Sequence, residues 1–450
     1  MIKHQFPIRL MAGLLILAIT SLSSAQSTRS YTLAEAKKYA LENNRDIRDA
    51  LLQTKAANKQ KWEITAQGLP QVEVTAQYQN LLDIPTQLIP GEIFGGEPGS
   101  TIPVKFGRPH NARYGVTASQ LLFSGSYFVG VSASRIYLKL SEENLSRTKL
   151  DVKATVTSTY HLVLIAQENQ RVLEQTLENL KKTQYEISEM HKEGFIEKTD
   201  VKQIQISVNE IENNLRFLQQ QIKVTLQLLK LQMGLDLEAP ISLSDDLQVF
   251  LADPQDAVRT ELRFDPYKTI NMKAMLTQER LRELNLRKEK TTFLPTIAAF
   301  ATWQRDAQRD KFDIFDFDKT WYPTTVVGVQ LSWPIFNGSA KYQRWQKARV
   351  ELMQARTQKE KVEQGLRLQH KQARAAFESS RDRYQNSLTN RDLAREVYEI
   401  SLEKYREGLI SSLELTQAHN QYLNSEGQYL QAISDLLQAR TNLDKIFETI

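Results

Sequence analysis

The sequence predicts a mainly α chain with a membrane β-barrel portion: long coiled-coil helices plus four β-strands per protomer. Three observations carry that prediction. The chain is written twice, each copy holds one very long proline-free helical stretch, and each copy carries two short segments with one apolar face and one small or polar face.

Duplication is read from four landmark pairs. Tyr185-Glu186-Ile187-Ser188 recurs as Tyr398-Glu399-Ile400-Ser401, and Phe123-Ser124-Gly125 as Phe336-Asn337-Gly338, both at an offset of 213. Glu193-Gly194-Phe195-Ile196 recurs as Glu407-Gly408-Leu409-Ile410 at 214, and Leu69-Pro70 as Leu294-Pro295 at 225. Ordered self-similarity at nearly one spacing marks a repeat architecture rather than independent domains. The expected division is 1–25 signal peptide, 26–234 first repeat, 235–255 connecting segment and 256–450 second repeat.

The long helices come next. Between Gly125 and Gly194 lie 68 residues, and between Gly338 and Gly408 lie 69, with no proline in either interval. Both intervals are rich in Glu, Lys, Gln, Leu and Arg, which are good helix formers. Helices over 126–193 and 339–407 would each reach about 100 Å at 1.5 Å per residue. Return helices are expected over 197–233 and 412–449. In the first, Val201, Ile204, Val208, Ile211, Leu215, Leu218, Ile222, Thr225 and Leu229 alternate at three and four residues. That heptad period implies left-handed supercoiling. The second keeps the register with smaller residues, Leu415, Ala418, Tyr422, Ser425, Tyr429, Ala432, Leu436, Ala439 and Leu443, which lets backbones approach more closely.

The strands are expected at about 71–82, 112–123, 295–304 and 325–335. Val72, Val74, Ala76 and Tyr78 alternate with Glu73, Thr75, Gln77 and Gln79; Val327, Val329, Leu331 and Trp333 alternate with Gly328, Gln330 and Ser332. Such segments suit a transmembrane barrel. Tyr114, Trp303 and Trp333 lie near strand ends, where aromatic residues meet lipid headgroups. Four strands cannot close a barrel, and an open edge in lipid is forbidden. Other copies must complete it, and three copies give twelve strands. Two loops, 84–110 and 306–322, are expected outside, with no ligand predicted for either.

The first residues set the compartment. Lys3 and Arg9 precede an apolar run from Leu10 to Ile19, and Ser23-Ser24-Ala25 offers a cleavage pattern before Gln26. That is the layout of a secretory signal. The net charge of +5 falls to about +3 once Lys3 and Arg9 are removed, so nothing calls for nucleic acid. The absence of cysteine excludes disulfides and thiolate chemistry. The six histidines, His4, His110, His161, His191, His370 and His419, show no metal-ligand spacing, and no nucleophile or cofactor motif is present. No enzyme, cofactor or metal is expected.

Tyr31-Thr32-Leu33-Ala34-Glu35-Ala36, followed by Ala40-Leu41-Glu42-Asn43-Asn44, resembles the opening signature of the TolC-like outer-membrane efflux family. Arg45 stands where that signature carries proline, whereas Asp265-Pro266 in the second copy keeps it. The Leu-Pro pairs and Trp333-Pro334-Ile335-Phe336-Asn337-Gly338 are also similar to the family's. The resemblance implies a homotrimer in the outer membrane of a Gram-negative-type bacterium, with a twelve-stranded barrel continuing into a twelve-helix periplasmic tunnel. It implies export of small molecules or proteins, with a periplasmic adaptor and an inner-membrane pump as partners. It places 235–255 as an equatorial segment and the turns at Gly194, Phe195, Gly408 and Leu409 as adaptor-contact tips. Thr199, Asp200 and Tyr405 match closing links of a gate, and Glu414 an acidic ring facing the pore. Gln417 stands where a second acid is expected, and Ile410 where an arginine is. A periplasmic coiled-coil adaptor or scaffold is the alternative, and it predicts no lipid-facing strands.

Overall fold

The computed structural model describes residues 29–252, 263–316 and 318–450. The expected signal peptide, His4 and residues 256–262 at the start of the second repeat lie outside them. The first copy runs β1 (Arg29–Tyr31), α1 (Leu33–Asn43), α2 (Arg45–Ala66), β2 (Gln71–Asn80), β3 (Thr86–Pro90), β4 (Thr101–Lys105), β5 (His110–Ser124), α3 (Gly125–Lys192) and α4 (Lys198–Met233). A short connection follows, with β6 (Ile241–Leu243) and α5 (Leu247–Leu251). The second copy has α6 (Ile270–Thr291), β7 (Thr296–Arg309), β8 (Tyr322–Ser332), α7 (Ala340–Arg406) and α8 (Ser412–Phe447). The rods α3 and α7 are 68 and 67 residues long.

At the start of α2, Asn44 caps the helix by accepting from Asp46 N and Ile47 N, at 2.8 and 3.1 Å. Its amide also donates to the Gln232 carbonyl at the end of α4, at 2.6 Å. Arg45 therefore occupies the first helical position, where proline is favoured because that N–H has no intrahelical partner. Arginine loses nothing essential there, which explains the departure from the family signature.

The rods are joined by the connecting segment. β1 pairs in parallel with β6, Arg29 opposite Ile241 and Tyr31 opposite Leu243. Beneath this pair, Tyr31, Ala36, Ala40, Val156, Tyr160, Leu229, Met233, Ile433 and Leu437 form one buried cluster. Each large apolar member contributes about 1.5–3 kcal/mol by leaving water. The Tyr160 hydroxyl lies 2.9 Å from both the Tyr31 carbonyl and Asp245, and Asp245 also accepts from Leu33 N at 2.7 Å. One carboxylate thus ties the N-terminal strand, α1 and the middle of α3 together.

Beyond the rods, β2, β5, β7 and β8 make an antiparallel sheet in that spatial order. The two copies meet where β5 pairs with β7 from His110 opposite Arg309 to Ser124 opposite Thr296. β7 runs five residues past the expected 304 because β5 extends to His110 and supplies it with partners. β8 stops at Ser332, short of the expected 335, where Pro334 has no N–H to donate. The segment 84–110, expected as an irregular loop, contains the β3–β4 hairpin. Its prolines are tolerated because both strands of an isolated hairpin are edges.

Candidate functional site

Strand register sorts the sheet's side chains into two faces, since residues directly opposite one another point the same way. Val74, Val116, Trp303 and Thr325 fall in one row; Val72, Ala118, Ala301 and Val327 in the next; Ala299 and Val329 follow. This face is mainly apolar across all four strands, interrupted by Thr325 and Gln120 within these rows and by Arg305, which lies over the Trp303 ring, in the next row outward. The other face carries the rows Gln77, Arg113, Asp306, Tyr322, then Thr75, Gly115, Gln304, Thr324, then Glu73, Thr117, Thr302, Val326. Its groups satisfy one another: Arg113 Nε donates to Asp306 at 2.6 Å, and the Thr117 and Thr302 hydroxyls are 3.1 Å apart.

Aromatic residues lie at two levels of this face. On the side far from the rods, Tyr114 packs against Trp303 and Trp321, with centroids 6.2 and 4.9 Å away; because β7 runs on to Arg309, Trp303 stands in the middle of its strand and not near its end as expected. At the rod end, Trp333 lies just beyond β8 and its indole donates to the Phe293 carbonyl at 3.0 Å. Among the described residues no helix is long and apolar enough to cross a membrane.

At the opposite end of the rods, both helix–turn–helix tips have one construction. Gly194 N donates to His191 O and Phe195 N to Met190 O, both at 3.0 Å; Gly408 N donates to Tyr405 O at 3.0 Å and Leu409 N to Lys404 O at 2.8 Å. These paired bonds close the helix ends around a left-handed residue, and the glycines have φ of +83° and +74°. Phe195 and Leu409 project outward, 81% and 67% exposed. The following Ile196 and Ile410 turn inward onto a core of Leu180, Ile187, Ile204, Val208, Tyr398, Tyr405 and Leu415. His191 Nδ1 donates to the Ile196 carbonyl at 2.8 Å and pins the first turn.

Within this end of the molecule, Asp200 accepts a hydrogen bond from the Ser412 hydroxyl, joining the first turns of α4 and α8. Arg406 on α7 pairs with Glu186 on α3 at 3.1 Å. Tyr405 is buried with its hydroxyl unpartnered; burial, aided by the Asp200 charge, pushes its pKa up to about 12. Glu414 is exposed and closes a capping box, accepting from Ser411 N and Oγ at 2.8 and 2.9 Å. Those bonds hold its carboxyl below the usual range. Thr199 and Gln417 are exposed.

A family model described as outer membrane efflux protein matches residues 38–235 and 270–447. The chain belongs to the outer membrane efflux protein family. Its fold is similar to that of the CmeC outer membrane channel of Campylobacter jejuni, with TM-score 0.73 and 18% identity over 93% of this chain and 85% of that one. It is also similar to the outer membrane protein VceC of Vibrio cholerae, with TM-score 0.70 and 14% identity over 92% and 95%. The MtrE outer membrane channel of Neisseria gonorrhoeae, in its open state, gives 0.71 and 16% over 92% and 88%. No curated protein sequence matches the chain. The efflux protein is thus an outer-membrane channel subunit whose rods extend into the periplasm, and its family is one of channels rather than enzymes.

The structure brings Asp200 and Tyr405 into one cluster at the tips of this efflux protein, leaves Thr199 and Gln417 unengaged, and gives Glu414 a capping role. Sequence reasoning missed Ser412, Glu186 and Arg406. Only the repeat offset hinted at them: Ser412 falls at the position of Lys198 in the first copy, a serine opposite a lysine in otherwise matched turns.

Proposed function

We propose that three copies of this chain form a continuous duct, with β2 of one protomer pairing with β8 of the next to close a twelve-stranded barrel. The observation that carries this reading is the apolar face running in register across all four strands while β2 and β8 each have one free edge. Free edges in hydrocarbon would leave backbone groups unpaired, so closure requires further copies. The polar face becomes the lumen, and Tyr114 and Trp333 sit at the two lipid interfaces. The tips carrying Phe195 and Leu409 meet a periplasmic adaptor, which connects the duct to an inner-membrane pump. No catalytic role is assigned to any residue.

The inner gate is held by the Asp200–Ser412 hydrogen bond and the Arg406–Glu186 pair, both of which join the two hairpins of one protomer. Tyr405 packs beneath them. In planar bilayers the purified protein should conduct in small steps, and Asp200→Asn together with Ser412→Ala should raise open-channel conductance several-fold. A detergent-free, non-conducting monomer would refute the duct, and unchanged conductance in the double variant would remove the latch. Glu414 lines the pore mouth as an ionised ring of three carboxylates. Glu414→Gln keeps the capping box, since glutamine serves that position equally. It should therefore lower cation selectivity without loosening the tip. Reversal potentials in a salt gradient that do not move would exclude the ring.

A further inference from the structure

Glu426 lies on α8 between Tyr429 of the equatorial cluster and Tyr422 beside the tip core. It is only 7% exposed, and among the described residues no hydrogen bond or ion pair reaches its carboxylate. Its side chain instead lines two cavities. One, of about 200 Å³, is bounded by α3, α7 and α8; the other, of about 590 Å³, is bounded by α3, α4 and α8 and carries Asn169, Asn214, Asn420 and Asn424. Val172 and Glu426 alone line both. Three arginines border the smaller cavity, and each already has an acid. Arg171 donates to Glu168 through two bonds of 2.9 and 2.6 Å, and Arg395 to Glu399 at 3.0 Å. Arg391 bonds Asp392 at 3.0 and 2.6 Å and lies over the Tyr429 ring, 4.2 Å from its centroid. Glu426 is the carboxylate left over. Beside it, Tyr398 and Tyr422 stack in the cavity wall with centroids 5.8 Å apart and planes 4° from parallel.

We propose that Glu426 and the tyrosine pair form a binding site for a small organic ammonium ion, which enters through the larger, asparagine-lined cavity. A buried carboxylate is unfavourable unless it takes a proton or gains a counter-ion. Burial raises the Glu426 pKa; Arg391 and Arg395 of α7 pull it down, while Glu168 of α3 and Asp392 of α7 push it up. Arg171 and Glu399 face the same cavity within their own ion pairs, and Glu210 of α4 faces the larger one. A metal ion needs several converging ligands, and among the described residues no three acids or histidines are placed to hold one. An alkylammonium needs one counter-charge and aromatic surface, which is what the site offers. The smaller cavity is below the roughly 300 Å³ of a drug-sized pocket, which limits the ligand to a few carbons. Its walls come from α3 of the first copy and α7 and α8 of the second, so the bound ion ties the two helical hairpins together. The site lies within one protomer and does not depend on barrel closure.

The full-length protein, purified in detergent, is titrated with choline at constant ionic strength and followed by calorimetry. The comparison ligand is its uncharged isostere, in which carbon replaces the quaternary nitrogen. Choline should bind saturably and raise the melting temperature, and the isostere should bind at least about tenfold more weakly. This first comparison needs no variant. Choline affinity should also fall as pH drops below the raised Glu426 pKa, because a proton competes for the same carboxylate. Glu426→Gln keeps the side-chain shape and removes the charge; it should weaken choline at least about tenfold and abolish the pH dependence. Tyr422→Leu keeps the charge and removes one ring, and should weaken choline several-fold. Glu63→Gln, at an exposed position on α2, should change nothing. Absence of saturable choline binding to the parent overturns the site. So does equal binding of the uncharged isostere, or choline binding that survives unchanged in Glu426→Gln.

Discussion

His161 and His419 are buried, and neither ring nitrogen of either residue finds a hydrogen-bond partner. His161 packs against Phe250 at 4.8 Å and His419 against Tyr398 at 5.1 Å. Burial pushes both pKa values down to about 4, with the Arg440 and Lys37 charges adding to the effect at His161. The folded state thus binds these protons more weakly than the unfolded chain, whose histidines titrate near 6.5. Stability from keeping them neutral is complete above about 6.5 and is lost as pH falls from there to about 4. Each should cost on the order of 3 kcal/mol at the acid end. Glu426, raised by burial ahead of its charged neighbours, acts in the opposite sense, losing stability as pH rises above its unfolded value. His419→Leu should flatten the fall in melting temperature between pH 6.5 and 4; an unchanged pH profile would show that His419 opens to water before it titrates. Arg45 gives a second residue-scale expectation. Asn44, at φ −60° and ψ 137°, already has the extended backbone that a following proline demands. Arg45→Pro should therefore stabilise by about 0.4–1 kcal/mol through the unfolded state, read as a rise in melting temperature.

Among the elements, the return helices show what periodicity discloses and what it hides. All nine heptad positions read in α4, and all nine in α8, are buried or half-buried. A single seam explains α4, whose other faces are largely exposed. It does not explain α8, where Leu430, Ile433, Leu437, Arg440 and Thr441 are buried as well. Leu430, Ile433 and Leu437 join Val156, Tyr160 and Leu164 of α3 in the equatorial cluster, and Arg440 donates to the Phe250 carbonyl of α5, partners set by chain topology, which no local pattern encodes. The same limit applied at the tips. The glycine turns were legible because a left-handed residue needs glycine, whereas the Asp200–Ser412 bond joins residues 212 apart with no periodic trace. The small residues of the second seam were legible too, and their role can be tested. Ala432 is 1% exposed where the first copy has Leu218. Ala432→Leu should destabilise by about 1–3 kcal/mol through overpacking, whereas Leu218→Ala, at a half-buried position, should cost less. Equal effects measured by thermal unfolding would mean that the closer approach of α8 is not tight.

At the scale of the whole molecule, the two faces of one strand should respond oppositely to the same charge. Val329 lies on the apolar face opposite Ala299, and the next residue, Gln330, lies on the polar face opposite Ala298. An arginine facing lipid near the midplane costs about 2–4 kcal/mol, while a lumen-facing one meets water. Threefold assembly multiplies the first cost, because each barrel carries the substitution three times, about 6–12 kcal/mol in all. That is comparable to the whole stability of an ordinary domain. Val329→Arg should therefore abolish the membrane-extracted trimer, and Gln330→Arg should leave it assembled and shift only its ion selectivity. The rods make this a test of the barrel alone, since both residues lie within β8 and the helical core should fold in both variants. Native mass spectrometry of detergent extracts separates the outcomes. A trimer surviving with Val329→Arg, or lost with Gln330→Arg, would reverse the assignment of lipid and lumen to the two faces of the sheet.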